Sequence, residues 1–360
     1  MKKLDLYILK QFLSNFIFSI IAFIIIFLLV DLIDRLDKFV DNDLPAKQIF
    51  RYYFLTLPWF ISISIPMGLL LSTVFTIGVL QKRNEITAIK ASGVSIKRIG
   101  ISLLLSGVFF SISLFYFDNK IVTKSMHSRA ELENQHFKKN KTNPKRKQNI
   151  YRQINDENVV VINKYNFKNK EAKNISIMTI NDGKLRSRID ANRMIWDEKS
   201  KSWKISYYDK RMFIGENNFS FSQYAKDTLI DLNFSAMDLT KESVKPEEMN
   251  FFELREFVEK IKINGINEPR WEVNMHFKTA FACSSFLMIL FGLSLSVQKP
   301  RTNIGIGIGL SIFTIFVYYA TLKFGQSMGY KGIINPFLSV WSANLIFLLI
   351  GIVLYSKSRT

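Results

Sequence analysis

The sequence predicts an α-helical membrane protein with six transmembrane helices and a β-strand domain inserted between the third helix and the fourth. Two observations support this fold class: six long stretches contain no Asp, Glu, Lys or Arg, and a polar segment with strand-like pieces divides them into two groups of three. Each charge-free stretch has at least 19 residues, and about 20 helical residues cross a hydrocarbon core about 30 Å thick. The stretches are 11–30, 52–81, 99–117, 279–298, 302–322 and 332–356.

The composition differs from that of an ordinary soluble enzyme. Of the 360 residues 48% are hydrophobic, while the formal net charge is +19. A strongly basic chain suits nucleic acid or an anionic membrane, and the long apolar stretches favour the membrane, so no nucleic acid partner is expected. The first stretch follows Lys2, Lys3 and Lys10, as in a signal peptide, but its apolar core is too long and no small-residue cleavage site follows. A retained first helix is therefore expected.

The basic residues of the short loops predict the orientation in the membrane. The N-terminus, the 82–98 loop, the 299–301 turn and the C-terminal tail hold 12 basic residues but only two acidic ones, Asp5 and Glu85. The short loops on the other side hold six basic residues and five Asp. Because basic loops stay in the cytoplasm, both termini are expected to be cytoplasmic and the 118–278 segment to lie outside the cytoplasm.

The 118–278 segment is expected to form a β domain. Its strand-like pieces are separated by turn signals such as "NDG" at 181–183, and this spacing predicts a β-sandwich or an open roll. The lone cysteine, Cys283, lies in the fourth predicted helix, so no disulfide is expected in this domain. The pieces are "NVVVI", "ISIMTI", "RMIW", "WKISYY" and "FSFS".

Helical and basic segments flank the strands. Residues 120–139 are polar enough to extend the third helix beyond the membrane, and 138–148 is interpreted as a basic linker. Residues 250–273 predict an amphipathic helix that ends near Gly265. Its apolar face comprises Phe251, Leu254, Phe257, Val258 and Ile261.

Several kinds of chemistry are absent from the sequence. No GxxxxGK[ST] phosphate loop occurs, so the chain is not expected to hydrolyse ATP by itself. The glycines of "GIGIG" at 305–309 lie inside a predicted membrane helix, where close helix packing is a better interpretation than dinucleotide binding. His127, His136 and His276 have no second ligand at metal-site spacing. The charge-free stretches contain no acid, which argues against coupling to protons or sodium ions.

The stretch "QKRNEITAIKASG" at 81–93 places charged residues on a short helix between two membrane helices. A topology signal explains Lys82 and Arg83 but not Glu85, which is placed to pair with Lys82 or with neighbours on the Ile89 side. The small residues of this helix suit docking into the groove of a partner. From the spacing alone, the topology signal and the docking helix both stay open. The small residues are Ala88, Ala91 and Ser92.

Two other stretches have a structural and a functional interpretation. The segment 31–43 contains five Asp together with Arg35 and Lys38. It is either the solvated end of a helix or a contact for lipid headgroups. Pro58 and Pro66 are expected to kink or break the second helix, either as a simple bend or as the wall of a cavity.

Four segments of the sequence resemble the LptF/LptG (YjgP/YjgQ) permease family, the membrane subunits of the lipopolysaccharide-exporting ABC transporter. The resemblance covers essentially the whole chain and is most specific at 57–99, where a proline-bearing helix, a charged short helix and Ala-Ser-Gly-Val-Ser follow one another in the family's order. The segments are "LDLYILKQFLSNF" (4–16), the 57–99 block, "EVNMHFKTAFACSSFLMILFGLSLS" (272–296) and "GYKGIINPFLSVWSANLIFLLIGIVLY" (329–355).

The resemblance implies a domain organisation and a set of partners. Residues 1–118 would hold helices 1–3 with a cytoplasmic coupling helix at about 81–93, 119–271 a periplasmic β-jellyroll-like domain with flanking helices, and 272–360 helices 4–6. The chain would sit in the inner membrane of a Gram-negative bacterium and bind no cofactor itself, since ATP and Mg would be bound by the partner ATPase. The implied partners are a second LptF/LptG-type permease, an LptB-like ATPase dimer, LptC/LptA-like periplasmic jellyroll proteins and lipopolysaccharide.

The resemblance also implies site residues. Arg83, Glu85, Ala88 and Gly93 would couple the chain to the ATPase, and Lys38 with Arg35 would contact the lipid headgroup. "KFVD" at 38–41 favours the LptG branch, although Asn42, Asp43 and Leu44 stand where that branch often has further lysines. The alternative function is a membrane-anchored envelope assembly or receptor protein whose β domain binds partners without transport.

Overall fold

The structure is a computed structural model, and its described residues form two compact units. The first unit comprises Met1–Glu133, Glu247–Phe251 and Pro269–Thr360, and the second comprises Asn134–Pro246 and Phe252–Glu268. The described residues are 3–136, 146–154, 157–167, 169–181, 184–198, 200–213, 219–232, 234–236, 239, 245–263, 268–298 and 304–357.

Six helices among the described residues are long and apolar enough to cross a membrane, which confirms the prediction of six membrane helices. The third of them is the longest, because α4 continues through a π-helical turn at Asp118–Val122 into α5. The predicted extension over 120–139 is confirmed as far as His136, and 137–139 lie outside the described residues. The helices are α1 (Lys3–Asp41), α2 (Ala46–Lys82), α3 (Glu85–Ala91), α4 (Ile96–Phe117), α5 (Thr123–His136), α6 (Phe251–Ile263), α7 (Pro269–Gln298), α8 (Ile304–Tyr330) and α9 (Pro336–Ser356), with a 3₁₀ turn at Pro246–Glu248.

The second membrane helix is not broken at its prolines. α2 continues through Pro58 and Pro66 as one helix of 37 residues. Of the predicted kink or break, the break is therefore wrong, since the neighbouring turns of α2 keep the helix continuous where each proline removes one backbone donor, while the kink stays a prediction.

Glycines allow close approach between membrane helices, but mostly at positions other than those predicted. A Cβ atom added at Gly292 of α7 would lie 2.7 Å from Cβ of Thr73 in α2. In the "GIGIG" segment, the same atom at Gly307 would lie 3.1 Å from Val74, whereas Gly309 has no such neighbour within 4 Å. The predicted packing role therefore holds at Gly307 and is wrong at Gly309, which faces open space.

Two side-chain hydrogen bonds join three membrane helices in the interior of the first unit. The Tyr318 hydroxyl of α8 donates to Asn344 Oδ1 of α9 at 2.6 Å, and Asn344 Nδ2 donates to the Ala280 carbonyl of α7 at 2.8 Å. Tyr318 and Asn344 are buried, so these hydrogen bonds satisfy groups that lipid could not.

The strands of the second unit form one antiparallel sheet. The order is β1-β2-β3-β4-β5-β6, and β7 also pairs with β5. Every predicted strand piece lies within β2–β6, and the described strands are hydrogen-bonded into a single sheet, as in the open-roll alternative. This sheet domain fits a jellyroll-like domain. The strands are β1 (Arg146–Gln153), β2 (Asn158–Asn166), β3 (Glu171–Asn181), β4 (Lys184–Asp197), β5 (Ser202–Phe213), β6 (Phe219–Tyr224) and β7 (Thr228–Ile230).

The structure corrects the prediction of the basic linker and confirms that of the amphipathic helix. Residues 146–148 of the predicted 138–148 linker belong to β1, because they pair with 164–166 of β2. Residues 138–145 lie outside the described residues. The amphipathic helix is present as α6, with Leu254, Phe257, Val258 and Ile261 buried, whereas Gly265 lies outside the described residues.

The spacing of the buried side chains changes along one line that crosses four strands. In a regular strand the core side chains are two residues apart, but at this line they are three apart, so each strand has one extra residue on the outer face. Two of the extra residues, Asn174 and Tyr207, have positive φ of 52° and 51°. Trp203, on β5 two residues before Ile205, is fully buried. The buried pairs that flank the line are Ile162 and Tyr165, Ala172 and Ile175, Ala191 and Met194, and Ile205 and Tyr208.

We expect a small pH dependence where β7 joins β5. Lys204 Nζ lies 2.6 Å from Asp227 Oδ2, and the Ser206 hydroxyl also donates to Asp227. Because Lys204 and then Ser206 donate to this carboxylate, the pKa of Asp227 lies below its usual range. The pair therefore stabilises the folded state above the unfolded-state pKa of about 3.9 and loses this contribution as pH falls through the lowered folded-state pKa.

Amide hydrogen exchange of Thr228–Ile230 in the full chain measures this effect. Exchange should accelerate over that acidic window, after correction for the intrinsic pH dependence of exchange. In Asp227→Asn this additional acceleration should be absent, and its persistence in the variant would contradict the assignment.

Candidate functional site

The predicted docking segment contains a short helix bounded by two tight turns. α3 covers Glu85–Ala91 and follows α2 after Arg83 and Asn84, with Asn84 in the left-handed region at φ 58°. The chain leaves α3 through Gly93 at φ 81°, where a side chain would strain the backbone. The two turns set α3 off from α2 and α4 as a separate element.

α3 has an inner apolar side and an outer side of small residues. Ile86 is buried, and Ile89 packs against the core of the first unit. Apart from Lys90, the exposed residues have small side chains, and the predicted small residues Ala88, Ala91 and Ser92 are among them. The exposed residues are Thr87, Ala88, Lys90, Ala91, Ser92 and Gly93.

Glu85 has partners that the sequence analysis did not identify. The Tyr7 hydroxyl of α1 donates to Glu85 Oε2 at 3.0 Å, and Arg83 Nη1 lies 3.8 Å from Oε1. The predicted pairing with Lys82 is wrong, because Lys82 ends α2 and the left-handed turn at Asn84 interrupts the helical spacing that the prediction assumed.

α1 makes a second contact with the helix that follows α3 in the chain. Arg98 Nη2, in the first turn of α4, lies 3.0 Å from Oδ2 of the buried Asp5. Tyr7 and Asp5 therefore attach the N-terminal end of α1 both to the first residue of α3 and to the helix that follows it. Both attachments join residues more than 75 positions apart in sequence, since the separations are 78 and 93 residues.

The two predicted headgroup residues have different surroundings. The side chain of Lys38 is exposed and has no ion-pair partner among the described residues. Arg35 is half-buried, and its guanidinium lies 2.9 Å from Asp31 Oδ1 and 3.4 Å from Glu133 Oε1. Lys38 can reach a ligand without breaking an existing pair, whereas Arg35 cannot.

Arg35 belongs to a cluster of alternating charges around a buried ring. Glu133 Oε1 also accepts from Arg129 Nε at 3.1 Å, so the order of charges is Asp31, Arg35, Glu133, Arg129. The two guanidinium carbons lie 5.4 Å and 4.7 Å from the ring centroid of the fully buried Tyr52. We call these five residues the Tyr52 cluster. Helical spacing predicts the pairs within one helix but not the contact between α1 and α5, which sequence reasoning missed.

An ion pair also lies inside helices that are long enough to cross a membrane. Lys278 Nζ of α7 lies 3.0 Å from Asp118 Oδ2 in the π-helical turn, and the Lys278 side chain is 8% exposed. The charge-free stretches stop one residue before Asp118 and start one residue after Lys278. The absence of acids from the stretches therefore does not extend to the whole helices.

Comparisons with known proteins match nearly the whole chain. A family model described as "Lipopolysaccharide export system permease LptF/LptG" matches residues 6–357. The lipopolysaccharide export system permease protein LptG of Escherichia coli K12 is 21% identical over 329 residues, which are 88% of this chain and 87% of that protein. The protein of the same name from E. coli O6:H1 matches with the same identity and coverage.

Proposed function

The chain belongs to the LptF/LptG family of lipopolysaccharide export permeases, and from this premise we propose that it is the membrane subunit of an ABC transporter in the inner membrane. In this role it extracts lipopolysaccharide from the outer leaflet and passes it to a bridge of periplasmic jellyroll proteins that leads toward the outer membrane. The proposed orientation has both termini in the cytoplasm and the β domain in the periplasm, as the basic loops favour.

Extraction of such a lipid requires an external source of energy. Each buried CH₂ group contributes about 0.8 kcal/mol to staying in the bilayer, so several acyl chains cannot leave it unaided. The sequence has no phosphate loop, and we therefore assign ATP and Mg to an LptB-like ATPase dimer bound on the cytoplasmic side.

The geometry of α3 is the observation that carries this proposal. Its inner side is anchored by Ile86, while its outer side presents Ala88 and other small residues to an incoming groove. Arg83, Glu85, Ala88 and Gly93 are the proposed coupling residues. Glu85 supplies the carboxylate of this surface, and Gly93 permits the turn that presents it.

The lipid and the second permease are assigned to other surfaces. We assign the headgroup contact to Lys38, because its exposed ammonium can pair with a phosphate at the interface. The apolar side chains exposed on α1 and α8, such as Phe18 and Phe316, suit lipid chains and a second LptF/LptG-type permease.

Reversal of the charge at residue 85 tests the proposed coupling. We expect Glu85→Lys to lower ATP-dependent release of lipopolysaccharide from proteoliposomes by about tenfold or more, since loss of a docked charge pair costs about 2 kcal/mol or more. The amount of copurifying ATPase should fall in parallel.

A matched control reverses an exposed acid elsewhere in the chain. Glu259→Lys, on α6, should leave ATPase binding and lipid release unchanged. Full ATPase binding and full release by Glu85→Lys would show that the coupling role of Glu85 is wrong.

The alternative of an envelope receptor without transport gives a different result with a photo-crosslinker at residue 38. A transporter should form lipid adducts there that decline when ATP is added. A receptor should form no lipid adduct that responds to ATP.

A further inference from the structure

We propose that α1 and the third membrane helix move as one rigid pair during transport, held together by an ion pair near each end. In this arrangement Arg35 is a positioning residue rather than a ligand of the lipid headgroup. The inference deepens the proposed function and rests on it, because it concerns which helices separate when the permease opens.

The first ion pair joins the N-terminal ends of the two helices. Arg98 Nη2 lies 3.0 Å from Asp5 Oδ2, and only 10% of the Asp5 side chain is exposed. A charge-assisted hydrogen bond in partly buried surroundings is screened less by salt than a surface pair. About three helical turns further along both helices, Phe16 of α1 packs edge-on against Phe110 of α4 with ring centroids 4.7 Å apart.

The second ion pair joins the C-terminal ends and is part of the Tyr52 cluster. Arg35 of α1 contacts Glu133 of α5, and Glu133 also binds Arg129. Both guanidiniums face the ring of Tyr52, which belongs to α2. Asp31 and Glu133 balance the charges of Arg35 and Arg129, so the cluster is neutral. Separation of α1 from α5 would break the Arg35–Glu133 contact and move both guanidiniums relative to Tyr52, while the pairs within each helix would remain.

The two ion pairs lie far enough apart to fix the relative position of the helices. The stretches from Asp5 to Arg35 and from Arg98 to Glu133 each cover roughly 45–53 Å at about 1.5 Å per residue, which exceeds a hydrocarbon core of about 30 Å. The N-terminal ends are joined and the C-terminal ends are joined, so the helices run in the same direction. With both ends attached, neither helix can slide or splay without breaking an ion pair.

The same two ion pairs limit which membrane helices can separate when the permease opens. α3 touches the pair twice, through the hydrogen bond between Tyr7 and Glu85 and through its chain connection to α4. A displacement of α3 therefore moves α1 and α4 together. The opening is therefore not expected between α1 and the third membrane helix.

A reversible crosslink across the second ion pair tests this inference. In a Cys283→Ala background, Arg35→Cys and Glu133→Cys would be joined by a short bis-methanethiosulfonate in the assembled transporter in proteoliposomes. We expect the crosslinked protein to release lipopolysaccharide at least several-fold faster than the same protein after reduction, because the crosslink replaces the lost ion pair.

Each other result overturns the inference. Faster release after reduction would mean that the helices must separate. Equally low release in both states, with Lys38 intact, would assign Arg35 to the lipid rather than to α5. Treatment of each single-cysteine variant with the same reagent controls for modification alone.

A distance measurement separates this inference from the proposed function. Spin labels at the exposed positions Asp37 and Lys124 should keep the same distance distribution when ATP is added to the transporter. A change in distance overturns the rigid pair even if lipid is released. Failure of the transporter without these substitutions to release lipid overturns the proposed function instead.

Discussion

Gly325→Leu should prevent α8 and α9 from packing together, and little folded protein should be recovered. A Cβ atom at Gly325 would overlap the backbone carbonyl oxygen of Ser339 in α9, and one at Gly329 would lie 2.8 Å from Val273 Cγ2 and also overlap the Ser339 side chain. The two glycines form a GxxxG spacing that brings the helices close enough for backbone contact. Overpacking costs about 1–3 kcal/mol and more where a backbone atom must move.

The recovery of monodisperse protein after detergent extraction measures this effect, together with the thermal unfolding midpoint. Gly309→Leu is the matched control on the same helix, because nothing lies within 4 Å of a Cβ atom at that position. Similar recovery for the two variants would contradict the close contact at Ser339.

Lys278→Met should destabilise the membrane unit by removing one partner of a buried ion pair. Asp118 would lose its partner with only 20% of its side chain exposed, and a broken buried pair costs about 3–5 kcal/mol. Replacement of both partners, in Lys278→Met/Asp118→Leu, should recover most of this loss because no charge is then left buried. The free energy of unfolding in mixed detergent micelles is the quantity to measure.

Arg255→Met provides the comparison with an exposed pair. Arg255 and Glu259 lie 3.1 Å apart on α6 with more than half of each side chain exposed, so their loss should cost less than about 1 kcal/mol. Equal losses for Lys278→Met and Arg255→Met would show that the Lys278 pair is solvated, and failure of the double variant to recover would point to packing rather than charge.

The membrane helices and most strands could be predicted because each is defined by its own residues. A hydrocarbon core demands a long uncharged stretch, and the six stretches satisfy that demand. The strand pieces have β-branched and aromatic residues between turn signals. The short helix was predicted at about 81–93, but its bounds are narrower, because Gln81 and Lys82 still belong to α2 and α3 begins only after the left-handed turn at Asn84.

The contacts between distant residues could not be predicted in the same way. Nothing local distinguishes Glu133, which bonds Arg35 across 98 residues, from other acids on α5. The glycines show the same limit: "GIGIG" has more glycine than "GQSMG", but only the position of the facing helix decides which glycine is crowded. Glu85 was paired with the wrong residue because its partner Tyr7 comes from another helix.

The π-helical turn at Asp118–Val122 sets the rotational phase between α4 and α5. A π-helical turn contains one residue more than an α-helical turn, and each residue of an α-helix rotates the next by about 100°. Without that residue, Arg129 and Glu133 would point about a quarter-turn away from Tyr52, although the sequence of α5 would be unchanged. The extra residue of this turn therefore sets the direction in which the side chains of α5 point. As a result, one continuous helix contacts α1 both near its N-terminal end and near its C-terminal end.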